Sequence, residues 1–239
     1  MKRWKRLTSI LLVLGMVLGL MPLSAFAAEP ENTAETTFTE NVSDNDGVDT
    51  YTFMLLGDDT VKLTKFSTTA KAADAVIPSP VQGHPVTSIG DGAFYDCKKL
   101  KTVTLPDSVT SVGTVSFYEC TNLVEVNLRN SVRSIGDNAF MLCKKLGSVT
   151  LPNSIISIGT GAFISCTSLG SVTLPDSIIS IGAGAFSSCT DLKSVTITSS
   201  VQTIGANAFH FGFGGENKRL VELHYTGTQE QWDELAEKK

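Results

Sequence analysis

The sequence has few of the side chains on which most enzyme active sites depend. It contains three histidines, and none lies in a pattern with a serine and an acid that predicts a catalytic triad: His84, His210 and His224. It has no glycine-rich phosphate-binding loop and no His-Glu-x-x-His zinc motif. We therefore predict a protein that is not an enzyme and that binds no cofactor or metal ion.

Positive charge is also scarce outside the first 27 residues. Those residues hold four of the 19 basic side chains and none of the 24 acidic ones, so the remaining chain has a formal charge of −9. A surface that binds nucleic acid or anionic lipid is usually basic. The charge balance therefore argues against both kinds of partner.

Residues 1–27 have the features of a secretory signal peptide. A basic start at positions 2–6 precedes an apolar run, Leu7–Leu20, and Ala25-Phe26-Ala27 matches a cleavage site. The run is too short for a comfortable membrane span, although an uncleaved anchor helix is the alternative. We predict a secreted or cell-surface protein with no stable membrane insertion after cleavage.

The next two segments differ in character. Residues 28–50 hold seven acids and no lysine or arginine, and this composition predicts an acidic, disordered linker. In residues 51–85, two strand-like runs flank Gly57-Asp58-Asp59, which predicts a hairpin followed by an irregular first coil. We expect this segment to cap the N-terminal end of the repeats.

The rest of the chain repeats at a fixed step of 23 residues. Four residue types recur in separate columns, namely Gly90 to Gly205, Phe94 to Phe209, Cys97 to Cys189 and Leu100 to Leu192. A strict period in this range is typical of a solenoid, in which each coil buries its apolar face against its neighbours. We place six coils in residues 86–228.

Each coil contains two strand signals and a turn. Leu100, Val103 and Leu105 alternate as a strand that can stack in parallel with its copies, and a proline ends this strand in most coils. Arg129 and Thr198 replace the proline in two coils. A β-branched pair such as Val109 and Val112 predicts a short strand on the opposite side. We expect Asp91, Thr114, Asp137 and Thr160 to cap helical turns.

The combined pattern, Leu-x-x-Val-x-Leu-Pro-x-Ser-Val-x-x-Ile-Gly-x-x-Ala-Phe-x-x-Cys, resembles the BspA-type class of bacterial leucine-rich repeats. The resemblance covers residues 51–239, including a closing helical cap at 229–239 in which Thr228 and Gln231 have capping-box spacing. It implies a repeat solenoid with a parallel β-sheet on one face and short strands and helical turns on the other. It also implies a secreted or surface protein used for binding or adhesion.

The five cysteines fall in one column of the repeat. Their odd number and their parallel side chains favour buried free thiols over disulfides, and a single file of thiols does not surround a metal ion. Disulfides remain the alternative in a secreted chain.

The outward positions of the repeated strand are the candidate ligand face. They form two columns rich in hydroxyl groups, which read Thr102, Glu125, Ser148, Ser171, Ser194, Glu222 and Thr104, Asn127, Thr150, Thr173, Thr196, His224. A solvated sheet surface that uses threonine for its β-propensity is the simpler alternative. We predict that a protein or surface glycan docks on these columns, rather than on the lysines of the convex turns, Lys98, Lys99, Lys144 and Lys145.

Two other functions stay open at this stage. The chain is a structural spacer if it has no ligand of its own. A glycan-acting enzyme is less favoured, because Glu125 and Glu222 lie four coils apart, roughly 19 Å at the usual strand spacing, which is too far for two cooperating carboxylates.

Overall fold

The computed structural model describes residues 35–43, 46–210 and 222–237, so the predicted signal peptide lies outside the described residues. These residues form fifteen strands and one helix. The strands are β1 (Thr37–Ser43), β2 (Val48–Leu55), β3 (Val61–Thr68), β4 (Ala73–Val76), β5 (Val86–Ile89), β6 (Leu100–Thr104), β7 (Ser111–Val112), β8 (Glu125–Asn127), β9 (Ser134–Ile135), β10 (Ser157–Ile158), β11 (Ser171–Thr173), β12 (Ser180–Ile181), β13 (Ser194–Ile197), β14 (Thr203–Ile204) and β15 (Glu222–Tyr225). The helix is α1 (Gln229–Glu237).

The strands form two walls of a solenoid. One wall is a nine-stranded sheet with the order β1-β2-β3-β5-β7-β9-β10-β12-β14, antiparallel in its first three strands and parallel beyond them. The other wall consists of two three-stranded parallel sheets, β4-β6-β8 and β11-β13-β15. Equivalent residues of successive coils pair in register, as Ser111 does with Ser134. The predicted leucine-rich-repeat solenoid of 23-residue coils is therefore confirmed.

A column of phenylalanine rings runs through the core. From Phe94 to Phe209, the ring centroids of successive coils lie 4.7–5.5 Å apart, with interplanar angles of 13° or less. Rings from Phe94 to Phe186 are fully buried. Because each such ring buries on the order of 150–250 Å² of surface, this column is a major part of the free energy of folding.

The cysteine column lies beside the phenylalanine column and consists of free thiols. Each of the four buried thiols donates to the carbonyl oxygen of a phenylalanine, as Cys143 Sγ does to Phe117 O at 3.1 Å. Burial raises the pKa of Cys143 and Cys189 to about 12. Cys97 differs from the prediction, because it is only half-buried at the start of the column.

The segments between the two walls are hydrogen-bonded turns. In the first five coils, residues at two positions of the turn have a left-handed φ, for example Asn138 at 53° and Leu142 at 65°. The N-cap role predicted for Asp91 and Asp137 is wrong. Their Oδ1 atoms accept hydrogen bonds from the next coil, from Thr114 N at 2.8 Å and Thr160 N at 2.7 Å. These aspartates therefore join coils rather than begin helices.

Both ends of the solenoid are covered. The predicted hairpin is β2-β3, and β3 pairs in parallel with β5, so the hairpin extends the nine-stranded sheet. At the other end, Thr228 and Gln231 form the predicted capping box of α1, with bonds of 3.2 and 2.9 Å. Trp232 packs against the core and contacts Tyr225 at a centroid distance of 5.2 Å.

The prediction of a disordered linker over residues 28–50 is wrong for residues 37–43 and 48–50. β1 pairs with β2 over its whole length, from Thr37 with Met54 to Ser43 with Val48. Phe38 packs against the core and stacks on His84 at 5.8 Å. The prediction of disorder relied on the charge of the segment. It gave too little weight to the short alternation of threonine with apolar residues, which is the usual pattern of a half-buried strand.

The glycine column is required by the close approach of successive coils. A Cβ atom on Gly159 would lie 2.6 Å from the carbonyl carbon of Gly136 and 2.7 Å from the nitrogen of Asp137. Both atoms belong to backbone and cannot move aside as a flexible side chain does. The packing of successive coils therefore requires glycine at this position.

We predict that Gly159→Ala lowers the free energy of unfolding by about 2 kcal/mol or more, because an overpacked backbone contact costs 1–3 kcal/mol. Gly147→Ala is the matched control, since a Cβ atom at Gly147 meets nothing within 4 Å. Urea denaturation of both variants tests the prediction. Equal stability of the two variants would contradict the close contact between coils.

The second coil contains a buried hydroxyl group that has no partner among the described residues. Ser116 occupies the position at which the other coils have alanine, it is fully buried, and its Oγ makes no hydrogen bond to the part of the chain that the structure describes. The residue before it, Val115, has a φ of 46°, in the left-handed region that β-branched residues avoid. Two neighbouring departures from the repeat thus destabilise one coil.

We expect Ser116→Ala to raise the free energy of unfolding by about 1 kcal/mol, because it removes an unsatisfied buried polar group. Ser177→Ala should have the opposite effect, since Ser177 Oγ donates to Ile155 O at 2.6 Å. Thermal and urea denaturation measure both changes. A loss of stability in Ser116→Ala would mean that its hydroxyl group has a partner.

Candidate ligand-binding face

We define the strand face as the outward side chains of the twelve predicted positions. In the structure these side chains form two columns, and all twelve are exposed or half-buried. Register pairs join Thr104 to Asn127 in one sheet and Thr173 to Thr196 to His224 in the other. The predicted side chains therefore line up in two columns, and binding of a ligand to these columns stays a prediction.

The strand face is interrupted at its middle, which the repeat does not predict. Residues 148–150 form no strand, so Ser148 and Thr150 extend from irregular backbone between β8 and β11. Two glycines, Gly147 and Gly170, precede the strand position in this coil and the next. Glycine weakens a strand because it has high backbone entropy and no side chain to pack.

Missing backbone hydrogen bonds mark this break. Val124 N donates to Lys101 O at 2.8 Å, and Gly170 N donates to Gly147 O at 3.2 Å, whereas the equivalent amide of Gly147 has no backbone partner among the described residues. A second set of amides, just after the strand segment, shows the same contrast between coils. Leu105 N donates to Asn127 O at 3.4 Å, and Leu174 N donates to Thr196 O at 3.3 Å.

The equivalent amides of Leu128 and Leu151 make no such bond to the described part of the chain. The two three-stranded sheets thus end on either side of residues 148–150, and the amides of Gly147, Leu128 and Leu151 lack a backbone partner within the described ranges.

A cleft of about 530 Å³ lies at the break. Its lining includes four residues of the strand face, namely Glu125, Asn127, Ser148 and Thr150. It therefore combines a carboxylate, an amide and two hydroxyl groups with the backbone amide of Leu128, which has no backbone partner among the described residues. Such groups both donate and accept hydrogen bonds, which suits a polar ligand with an extended backbone or several hydroxyl groups.

Arg129 and Asp107 form one wall of the cleft, and sequence reasoning missed both. Arg129 Nε lies 3.5 Å from Asp107 Oδ1 and donates to Leu105 O at 3.3 Å. The two residues also line a second cleft of about 390 Å³, together with Thr104 and Ser79. The sequence feature that could have identified this wall is the replacement of the strand-ending proline by Arg129.

The other titratable side chains considered from the sequence do not meet at this cleft, and of the two glutamates only Glu125 lines it. Glu125 and Glu222 lie in different sheets, in β8 and β15. His84 belongs to the N-terminal cap, where its Nδ1 lies 3.0 Å from Asp59 Oδ1. Within the described ranges, no group of three or more histidine, cysteine or carboxylate side chains is arranged to hold a metal ion.

The described residues contain no helix that could span a membrane. Every helix among them falls short of the length and hydrophobicity that crossing a bilayer would require.

Comparisons with known proteins match the architecture. The family model for the BspA type leucine rich repeat region matches six copies over residues 87–212. The crystal structure of the T. pallidum leucine-rich repeat protein TpLRR is similar at 35% identity and a TM-score of 0.67, over 73% of this chain and 78% of that chain. No curated protein sequence matches this chain significantly.

Two longer proteins share the fold. A leucine-rich repeat protein from Bacteroides ovatus is 30% identical with a TM-score of 0.60, over 69% of this chain and 43% of that chain. The pneumococcal vaccine antigen PcpA is 19% identical with a TM-score of 0.57, over 78% of this chain and 48% of that chain. This chain thus spans less than half the length of either protein. Given the six matched copies and the similarity to TpLRR, the chain belongs to the BspA-type leucine-rich repeat family.

Proposed function

We propose that the protein is a secreted or cell-surface binding module that recognises a protein or a surface glycan through the strand face, with the cleft between β8 and residues 148–150 at the centre of the site. The observation that carries this proposal is the coincidence of the predicted columns with the cleft. Four of the twelve predicted residues line it, although the prediction did not include a break in the sheet.

The chemistry of the cleft favours a polar ligand. Asn127 and Thr150 are exposed, and the backbone groups beside them lack ladder partners among the described residues. A ligand that supplies the missing hydrogen bonds avoids the cost of leaving polar groups unpaired in a shielded interface. An extended peptide backbone and the hydroxyl groups of a glycan both meet this requirement.

The rigidity of the surroundings also favours binding. The walls of the cleft are held by the stacked core, in which Val126 and Val149 are buried below the exposed side chains. A face fixed in this way loses little conformational entropy when a ligand docks. The signal-peptide pattern of residues 1–27 supports an extracellular setting for such contacts.

The test is a binding screen against arrayed extracellular-matrix proteins and cell-wall glycans. We expect Thr150→Lys to weaken binding to any array ligand by at least about tenfold, because a lysine fills the cleft and adds a charge. Thr196→Lys is the matched control in the same column, outside the cleft. Thermal denaturation should show both variants folded.

Three results would contradict the proposal. Unchanged binding by Thr150→Lys would exclude the strand face at this coil. Equal losses in both variants would show that binding is not centred on the cleft. Failure to bind any array component would favour a structural spacer.

A further inference from the structure

A second surface differs from the strand face in charge. Six lysines lie at the start of the repeated strands in the first coils, and all six are exposed: Lys71, Lys98, Lys99, Lys101, Lys144 and Lys145. They are six of the 15 basic residues beyond position 27, in a remainder that carries a formal charge of −9. Positive charge is thus concentrated in one region of an acidic chain.

Five of these lysines line a single cleft of about 250 Å³, together with Ala72, Asn122 and Val124, and the exception is Lys144. We call this cleft the lysine groove. Lys101 belongs to β6, and Val124 immediately precedes β8. The groove therefore borders the strand face, and Lys98, Lys99 and Lys145 lie in the turns that lead into the strand positions.

The groove is held in place by Asn122. Its Nδ2 donates to Lys98 O at 2.7 Å, and its Oδ1 accepts a hydrogen bond from Lys145 Nζ at 2.7 Å. One side chain thus joins three successive coils and fixes the ammonium group of Lys145. At the equivalent position, the two later coils have Ser168 and Asp191, so the arrangement is specific to this end of the solenoid.

Most of the positive charge in the groove is not neutralised by the protein. Lys98 pairs with Asp96 at 2.7 Å, which raises its pKa. The other lysines form no ion pair in the part of the chain that the structure describes. Like charges placed this close repel one another, and an anionic partner removes that repulsion.

We infer that the lysine groove is a binding site for an anionic polysaccharide, a sugar chain that carries sulfate or carboxylate groups. Lys99 and Lys145 both line the groove and lie two coils apart, roughly 10 Å at the strand spacing, so one small anion does not contact all of the lysines. A linear polymer with a charge on successive units does. Lysine ammonium groups act as point charges and accept such groups without a fixed geometry.

Polar and aromatic neighbours favour a sugar chain over nucleic acid. Thr121 and Thr167 offer hydroxyl groups beside the lysines in the adjoining coils. Tyr95, more than half exposed, stacks on Tyr118 at 5.1 Å and lies three residues before Lys98.

The experiment measures binding of the full chain to heparin, hyaluronan, neutral dextran and double-stranded DNA at low ionic strength. The first two polymers distinguish sulfate from carboxylate as the recognised group. We expect binding to at least one of them and none to dextran. We also expect the affinity to fall steeply with added salt, because the lysines are exposed and screened.

The groove is tested with Lys99→Gln/Lys145→Gln, and the control is Lys65→Gln/Lys193→Gln, which removes the same charge from exposed lysines outside the groove. We expect the groove variant to lose about tenfold or more in affinity and the control to lose no more than about twofold. Both variants should keep the wild-type melting temperature.

Equal losses of affinity in the two variants would contradict binding at the lysine groove. Absence of binding to both heparin and hyaluronan would contradict it as well. Tighter binding to DNA than to either polysaccharide would overturn the choice of ligand. Because Thr150 lies outside the lysine groove, binding of an array ligand through the strand face should not change in the groove variant. The two proposals therefore fail independently.

Discussion

The structure depends on the close approach of successive coils. Glycines of one column bring backbone within van der Waals contact of the coil before, as Gly159 does with Gly136. The phenylalanine rings then stack at about 5 Å, close to the spacing of adjacent strands. Each coil buries its apolar residues only against its neighbours, so one distance governs the core, the sheets and the turns together.

The same constraint determines what the surface presents. Side chains 23 residues apart are held side by side, so a short local sequence becomes a column. The two columns of the strand face and the lysine groove both arise in this way. Differences between coils therefore become differences between sites, and a change such as Arg129 in place of proline acts at one place on the surface.

The repeat was enough to predict most of the fold. The 23-residue spacing predicted the phenylalanine and cysteine columns and most of the strands. The turn at Gly57-Asp58-Asp59 predicted the hairpin, and the family resemblance predicted the closing helix. It failed where a contact crosses between coils. Aspartate is common at helix N-caps, but Asp91 Oδ1 instead accepts a hydrogen bond from Thr114 N of the next coil. The sequence of residues 37–43 predicts disorder from charge, whereas pairing with β2 provides the hydrogen bonds that make it a strand.

The candidate site was predicted in part, for a related reason. Alternation identifies which side chains point outward, and this holds for all twelve positions. It does not show whether neighbouring strands pair, because residues 146–152 and 169–175 have the same sequence, Leu-Gly-Ser-Val-Thr-Leu-Pro, and only the second contains a strand. The cleft depends on the neighbours of that segment, in particular on β8 and Arg129, and these are contacts of tertiary structure.

The break in the strand face is tested most directly by amide hydrogen exchange measured by NMR. Gly147 and Gly170, and Leu151 and Leu174, are matched pairs in the same local sequence. Only the second member of each pair donates a backbone hydrogen bond within the described residues. We predict that Gly147 and Leu151 exchange at least about tenfold faster than Gly170 and Leu174, because unbonded amides have little protection. Equal protection within both pairs would show a continuous sheet and would contradict the cleft.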